Sequence, residues 1–120
     1  MKRILVGAAI AISAMAVLSR ITLAQSAGLG GTSWESMVAE CFTSVDFSSD
    51  GTAVIWEGGD QTDTAHWTLE GNALHIVFDT LYGGIEGTYD GGDQIEATET
   101  WRSHSTQVVH NDPCSLRKNN

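Results

Sequence analysis

One carboxyl group lies where the sequence pattern predicts an apolar surface. Residues Gln94–Arg102 alternate as a β-strand does, and this alternation puts Glu99 on the same face as Ile95 and Trp101. A carboxylate is costly to bury unless it is paired, and an acid held in such a place is a candidate functional group. Glu99 is therefore a predicted ligand-binding residue. The alternative is a β-bulge near the strand end, which would turn the side chain outward.

Large aromatic side chains are the second group that could form a site. Rings that point into a β-barrel can line a pocket for a small apolar ligand, or they can fill the core. Whether the interior is packed or hollow decides between these two interpretations. Together with Glu99, the predicted ligand-binding residues are Trp56, Trp67, Tyr89 and Trp101.

The histidines offer no recognisable catalytic or metal-binding motif. His66 and His75 lie at no spacing typical of metal ligands, and the chain has no phosphate-binding loop and no nucleophile elbow. His104 and His110, with Asp112 close by, could gather a metal ion, but an exposed polar segment explains them better. Acid–base catalysis by Glu99 would need one of the histidines within hydrogen-bond reach. The sequence therefore predicts no catalytic residue, no metal site and no cofactor.

The only two cysteines, Cys41 and Cys114, are predicted to form a disulfide. An even number of cysteines in an exported chain is typical of disulfide pairing, and no Cys-x-x-Cys or histidine pairing indicates a metal site. The bond would close a loop of most of the domain, for which chain entropy gives about 4 kcal/mol of stabilisation. The alternative is a pair of free thiols.

The beginning of the chain has the pattern of an export signal. Lys2 and Arg3 precede an apolar stretch over residues 4–18, and Ala24 stands where a signal peptidase would cut. The alternative is an uncleaved membrane anchor over residues 4–24, but Arg20 would be costly inside a bilayer. A cleaved signal peptide predicts a periplasmic or secreted protein without a stable membrane anchor.

Charge narrows the classes of partner. Loss of Lys2, Arg3 and Arg20 with the signal peptide takes the formal net charge from −9 to −12. Such an acidic domain is a poor candidate for nucleic-acid binding, which depends on lysine and arginine neutralising phosphates. A cationic partner, a basic protein or a divalent metal would instead be attracted to it, and the alternative is that the charge serves only solubility.

Turn residues punctuate the mature chain at short intervals, which is typical of an all-β domain. The predicted fold is a small antiparallel meander that forms a barrel or a sandwich of about six to eight short strands. The predicted organisation is a signal peptide (1–24), a flexible segment (25–32), a β domain (33–114) and a tail (115–120). Residues 34–39 form either a strand or a helical turn, and residues 106–110 could close the sheet. The main predicted strands are Cys41–Phe47, Thr52–Glu57, Thr62–Leu69, Ala73–Asp79, Ile85–Asp90 and Gln94–Arg102.

Two hairpin tips share a short acidic repeat. Residues 56–61 and 89–94 both read aromatic, acid, Gly, Gly, Asp, Gln. Glycines in such tips supply positive φ angles, so two similar hairpins explain the repeat. Clustered acids could also bind calcium, but neither tip has the full ligand spacing of a calcium loop.

The layout resembles small lipocalin-like and avidin-like barrels of the calycin type. The resemblance rests on residues 30–34 (Gly-Gly-Thr-Ser-Trp) and on the hairpin segments 67–72 and 85–90, and it covers most of the mature chain. In those families a Gly-x-Trp opens the first strand and an arginine from the last strand packs on the tryptophan. Gly31 and Trp34 match that motif with one extra residue between them, and Arg102 is the candidate arginine. The resemblance implies binding of a small apolar molecule in the barrel, or inhibition of a partner enzyme by the barrel's rim, rather than catalysis.

The predicted function is an exported, non-enzymatic β-barrel that binds a small apolar ligand. The alternative is a secreted inhibitor or interaction protein, which would present the acidic hairpin tips around Asp60 and Asp93 to a basic protein partner. A packed interior would favour this alternative, whereas a hollow interior lined by aromatic rings would favour ligand binding.

Overall fold

The structure, a computed structural model, describes residues 28–39, 41 and 43–119. The predicted signal peptide, residues 1–24, lies outside the described residues. Within the described part of the chain, no helix is long and apolar enough to cross a membrane. The strands are β1 (Ser33–Ser36), β2 (Thr43–Phe47), β3 (Thr52–Glu57), β4 (Asp60–Glu70), β5 (Ala73–Phe78), β6 (Gly84–Thr88), β7 (Gln94–Arg102), β8 (Val109–Pro113) and β9 (Leu116–Lys118).

These strands form a closed antiparallel barrel. β1 to β7 pair in chain order, and β9 pairs with both β7 and β1, which closes the sheet. β8 and β9 lie one after the other along β7 in the same register, with Thr98 opposite Pro113 and Ile95 opposite Leu116. The all-β prediction is confirmed, as an eight-stranded barrel with β8 as one extra strand.

Alternation along the strands separates the interior from the surface. In β4, residues 63, 65, 67 and 69 are buried while their neighbours are exposed, and in β5 the same holds for 74, 76 and 78. This is the period of two that strand geometry imposes. The apolar face predicted from the sequence is therefore the barrel interior. Its fully buried members include Trp34, Val45, Ile55, Leu74, Ile85, Ile95 and Leu116.

One end of the barrel is filled with side chains, and we call it the closed end. The rings of Trp34 and Tyr89 meet edge to face with centroids 5.8 Å apart, and those of Phe47 and Trp67 do so at 5.3 Å. Leu29, fully buried, adds to this packing. Edge-to-face pairs contribute beyond the area that they bury. Trp34, at 0% exposure, is the kind of residue whose truncation to alanine costs about 3–5 kcal/mol.

The opposite end, which we call the mouth, lies where β3, β5 and β7 finish. Gly83 shows how tightly β6 and β7 meet there. It has a φ of 98°, and a Cβ on it would stand 1.9 Å from the carbonyl oxygen of Thr100. Only glycine fits both the left-handed backbone and this close approach. This close approach also lets residues 80–82 turn across the mouth, where they line the opening.

The predicted disulfide between Cys41 and Cys114 is present and buried. It joins the connection between β1 and β2 to the junction of β8 and β9, with Cα atoms 5.1 Å apart. Next to it, the backbone N–H of Met37 donates to the carbonyl of Ser115 over 2.8 Å. The disulfide thus links the two chain segments that lie just beyond the last residue pair of β1 and β9. Its sequence separation of 73 residues gives about 4 kcal/mol in the chain-entropy description.

Three expectations about the chain ends require correction. Residues 116–118 form β9 and complete the barrel, so the segment predicted as a tail is structural. The last predicted strand, residues 106–110, is displaced to Val109–Pro113, because residues 103–108 form the loop that joins β7 to β8. Leu29, in the segment predicted to be flexible, is fully buried, because it covers the closed end of the barrel.

Candidate functional site

A cavity of about 780 Å³ opens at the mouth, and we call it the mouth cavity. It is formed by the mouth ends of β2, β3, β4, β5 and β7, by residues 80–82 before β6, and by the loop between β7 and β8. Apolar and charged side chains both contribute to its walls. Its lining residues are Thr43, Glu57, Thr62, Phe78, Thr80, Leu81, Tyr82, Glu99, Trp101, Arg102, Ser103, His104 and Gln107.

Glu99 points into the barrel and forms part of the wall of the mouth cavity. The side chain is 8% exposed, and its Oε1 accepts a hydrogen bond from the Thr43 hydroxyl over 3.1 Å. Oε1 also lies 3.4 Å from Sγ of Cys41, which is a contact only, since a disulfide sulfur carries no proton to donate. Oε2 has no hydrogen-bond partner among the described residues. The alternation that placed Glu99 inside is therefore correct, and no bulge turns it outward.

The surroundings of Glu99 favour its protonated form. Burial raises the pKa of the carboxyl from its ordinary 4.5 to about 7, because the charged form loses its hydration. The hydrogen bond from Thr43 acts in the opposite direction, while the negative charges of Glu57 and Asp112 raise the pKa further. Near neutral pH, Glu99 can thus gain or lose a proton.

Trp101 forms one wall of the mouth cavity and is held from two sides. Its indole N–H donates to Oδ2 of Asp112 over 2.7 Å. The His110 ring stacks on the indole, with centroids 4.2 Å apart and an interplanar angle of 16°. Trp101 is still 37% exposed. An apolar surface is therefore presented in a defined orientation at the entrance.

Tyr82 and Arg102 also line the mouth cavity. The guanidinium carbon of Arg102 lies 4.6 Å from the centroid of the Tyr82 ring, within the range of a cation–π interaction. The calycin resemblance predicted that Arg102 would pack on Trp34. This expectation is wrong, because Trp34 contacts Tyr89 at the closed end whereas Arg102 ends β7 at the mouth.

Asp63 is a residue that the sequence analysis missed, and it holds the loop that covers part of the cavity. Its carboxylate, 7% exposed, accepts hydrogen bonds from the backbone N–H groups of Thr64, Thr80 and Leu81 and from the Thr80 hydroxyl. Burial alone would raise the pKa of Asp63, but the hydrogen bonds outweigh it and lower the pKa. Because Leu81 and Tyr82 line the cavity, Asp63 positions one of its walls. The alternation along β4 could have identified Asp63 as buried, because it lies two residues before Ala65 and so points to the same face.

The predicted ligand-binding residues do not all meet in one place. Glu99 and Trp101 line the mouth cavity. Trp67 and Tyr89 fill the core at the closed end, where their polar atoms bond to backbone carbonyls. Trp56 lies on the outer face, and its indole donates to Asp46 over 2.8 Å. Trp56, Trp67 and Tyr89 therefore do not line the cavity, and whether Glu99 and Trp101 bind a ligand stays a prediction.

Two arrangements considered from the sequence are not formed by the described residues. Glu99 has no hydrogen bond to a histidine: His66 pairs with Asp79 and His75 with Glu86 on the outside of the barrel. His104 lines the same cavity as Glu99 but does not bond to it. Only Cys41, Glu99 and Cys114 bring three metal-ligating atoms within 4.8 Å of one another in the described part of the chain. Both sulfurs of that group are joined in the disulfide, so neither is available as a thiolate ligand.

The two acidic hairpin tips lie at opposite ends of the barrel. Asp60 belongs to the tip between β3 and β4 at the mouth. Asp93 follows β6 at the closed end, where its carbonyl accepts the backbone N–H of Lys118. The two tips therefore do not form one continuous acidic surface, and binding of a basic protein partner stays a prediction.

The site as a whole is a cavity with an acidic interior, an aromatic wall at Trp101 and an arginine at its entrance. Glu57 and Glu99 supply the acidic groups, and Phe78 and Leu81 add apolar surface. Comparisons of the chain with protein-family models, with curated proteins and with solved structures found no match.

Proposed function

We propose that this protein is an exported binding protein that holds a small, largely apolar molecule in the mouth cavity. The observation that carries the proposal is the cavity itself, about 780 Å³ in a barrel whose other end is filled. Pockets for drug-sized ligands span about 300–1,000 Å³ and combine apolar walls with a few placed polar groups. The mouth cavity has this size and composition.

The contacts around the cavity support binding of a ligand with an apolar body. Trp101 is oriented by Asp112 and His110 before any ligand enters, and Asp63 holds the loop that carries Leu81. Walls fixed in this way reduce the entropy that binding would otherwise cost. No Glu99–histidine pair is formed by the described residues, which favours binding over acid–base catalysis.

The buried disulfide supports export, since such bonds persist in oxidising compartments. It agrees with the predicted signal peptide and with a periplasmic or secreted location. The barrel also agrees with the calycin resemblance inferred from the sequence, although the arginine–tryptophan contact of those families is not formed.

A fluorescence titration with N-phenylnaphthylamine tests the proposal. This neutral probe becomes bright in apolar surroundings, so we expect saturable emission with the mature protein. Trp101→Ala removes a wall of the cavity and is expected to weaken probe affinity by about five- to ten-fold. Thermal unfolding followed by circular dichroism checks that the variant is folded.

Trp56→Ala is the matched control, because it makes the same truncation on the outer face of the barrel. It should leave probe affinity unchanged. The proposal fails if the folded protein shows no saturable binding of the probe, or if the two tryptophan substitutions weaken its affinity equally.

A further inference from the structure

We infer that the natural ligand of the mouth cavity carries a protonated amine, which binds the carboxylate of Glu99 while the apolar body lies against Trp101 and Leu81. This inference rests on the proposed function and names its ligand class, an organic cation with an apolar body. Three features support it, two at Glu99 in the described residues and one in the charge of the mature sequence.

The first feature is an acceptor left open inside the cavity. Glu99 is more than nine-tenths buried, yet only its Oε1 receives a hydrogen bond. Oε2 has no partner among the described residues and is not sealed from the cavity, since no buried side-chain oxygen lacks a bond. Oε2 is thus an acceptor that faces the cavity without a protein partner, and a ligand that fills the cavity would bury it, so it suits a donor that arrives with the ligand.

The second feature is that no cationic side chain among the described residues forms an ion pair with Glu99. Glu57 from β3 and Asp112 from β8 add negative charge, β2 contributes the Thr43 hydroxyl, and the β6 residue opposite is Ile85. Arg102 and His104 line the same cavity, but neither forms an ion pair with Glu99, and Arg102 is stacked on Tyr82. A ligand ammonium group would supply the missing charge and a charge-assisted hydrogen bond.

The third feature is the field of the whole domain. The mature chain carries a predicted formal charge of −12, and Arg102, Arg117 and Lys118 are its only lysine and arginine residues. Such a charge raises the local concentration of cations and repels anions. A carboxylate ligand would meet both this field and the acidic groups around Glu99.

Binding of an ammonium group couples to the ionisation of Glu99. In the empty cavity burial raises the pKa of Glu99 to about 7, so the group is mostly protonated at pH 6 and mostly ionised at pH 8. A bound cation stabilises the ionised form and lowers this pKa, and the displaced proton passes to solvent. The affinity for an amine must therefore rise from pH 6 to pH 8, by about ten-fold. Binding of a neutral ligand does not require Glu99 to be ionised.

Three probes of matched size test the inference: naphthylethylamine, naphthylethanol and naphthylpropionate, each competing with bound N-phenylnaphthylamine. We expect the amine to bind about ten-fold or more tightly than the alcohol at pH 8, and the propionate to bind most weakly. In Glu99→Gln, which keeps an oxygen for Thr43, the preference for the amine and its pH dependence should disappear. Affinity for the alcohol should remain, which shows that the variant is folded and its cavity intact.

Glu70→Gln is the matched control, because it removes the same charge from an exposed residue near the closed end. It should retain the preference for the amine. If N-phenylnaphthylamine binds but the amine and the alcohol compete equally at both pH values, the amine inference is wrong and the binding function stands. If Glu70→Gln abolishes the preference as well, only the overall charge matters and the contact with Glu99 is refuted. If the neutral probe does not bind at all, the proposed function itself fails.

Discussion

At the scale of single residues, Glu99 stands out because the fold holds it at a cost. It is a carboxyl group in an interior that is otherwise mostly apolar, with one hydrogen bond from Thr43 to offset its burial. An ionised acid in such a place destabilises the folded state. Residues that break the local pattern in this way are often retained for function rather than for folding.

The cost can be measured through the pH dependence of stability. The pKa of Glu99 is about 7 in the folded protein and near 4.5 when exposed. The folded state thus keeps a proton that the unfolded state has already lost, so stability falls as the pH rises through this interval and is level above it. We expect Glu99→Gln to match the wild type near pH 4 and to be up to about 3 kcal/mol more stable near pH 8.

Denaturant unfolding at both pH values gives this comparison, with Glu70→Gln as the control for the loss of one charge. If the free energies of unfolding of the wild type and Glu99→Gln differ by the same amount at both pH values, the raised pKa of Glu99 is contradicted. A variant that is destabilised at pH 8 would show that the carboxylate stabilises the fold.

At the scale of secondary-structure elements, β4 links folding to the site. Its inner face runs from Trp67 in the filled core to Asp63 at the mouth, so one strand anchors both ends of the barrel. Between β3 and β4 the register shifts at Ile55 and Trp56, which marks a β-bulge. The carboxylate of Asp63 accepts hydrogen bonds from the backbone N–H groups of residues 80 and 81. These bonds hold one wall of the mouth cavity in place.

Asp63→Asn tests this role of β4. The amide keeps one acceptor but turns a donor toward backbone N–H groups. We therefore expect the free energy of unfolding to fall by about 2 kcal/mol near pH 6, and the binding of N-phenylnaphthylamine to weaken. The pKa of Asp63 lies below its ordinary 3.8, so the loss should shrink as the pH falls below that value. Asp60→Asn, an exposed change in the same strand, is the control. Unfolding midpoints of the two variants that coincide at pH 6 would contradict this account.

The elements were more predictable from the sequence than the site was. Turn residues and the alternation in β4 and β5 depend on local stereochemistry, so they locate strands and faces correctly. Alternation also places Glu99 inside. It cannot tell which end of a barrel a buried ring occupies, and therefore Trp67 and Tyr89 were assigned to a pocket although they fill the closed end. Strand β9 was missed because three residues carry too little pattern.

At the scale of the whole molecule, the barrel divides its interior between stability and binding. Leu29, Trp34 and Tyr89 fill the closed end, and the disulfide fastens the last strand to the connection after β1. The mouth is left with a cavity whose walls are oriented by Asp63 and Asp112. Most apolar residues of this small domain therefore pack in the core, and the mouth still presents a preformed site.

The four tryptophans report on this division separately, and their indole N–H signals provide the most direct measurement of the central claim. The four indoles donate in three regions: Trp101 at the mouth, Trp56 on the outer face, and Trp34 and Trp67 near the closed end. Naphthylethanol, titrated into ¹⁵N-labelled mature protein, should shift the Trp101 signal in a saturable manner and leave the other three in place. Shifts that are largest at Trp56, or the lack of any saturable shift at Trp101, would contradict binding in the mouth cavity.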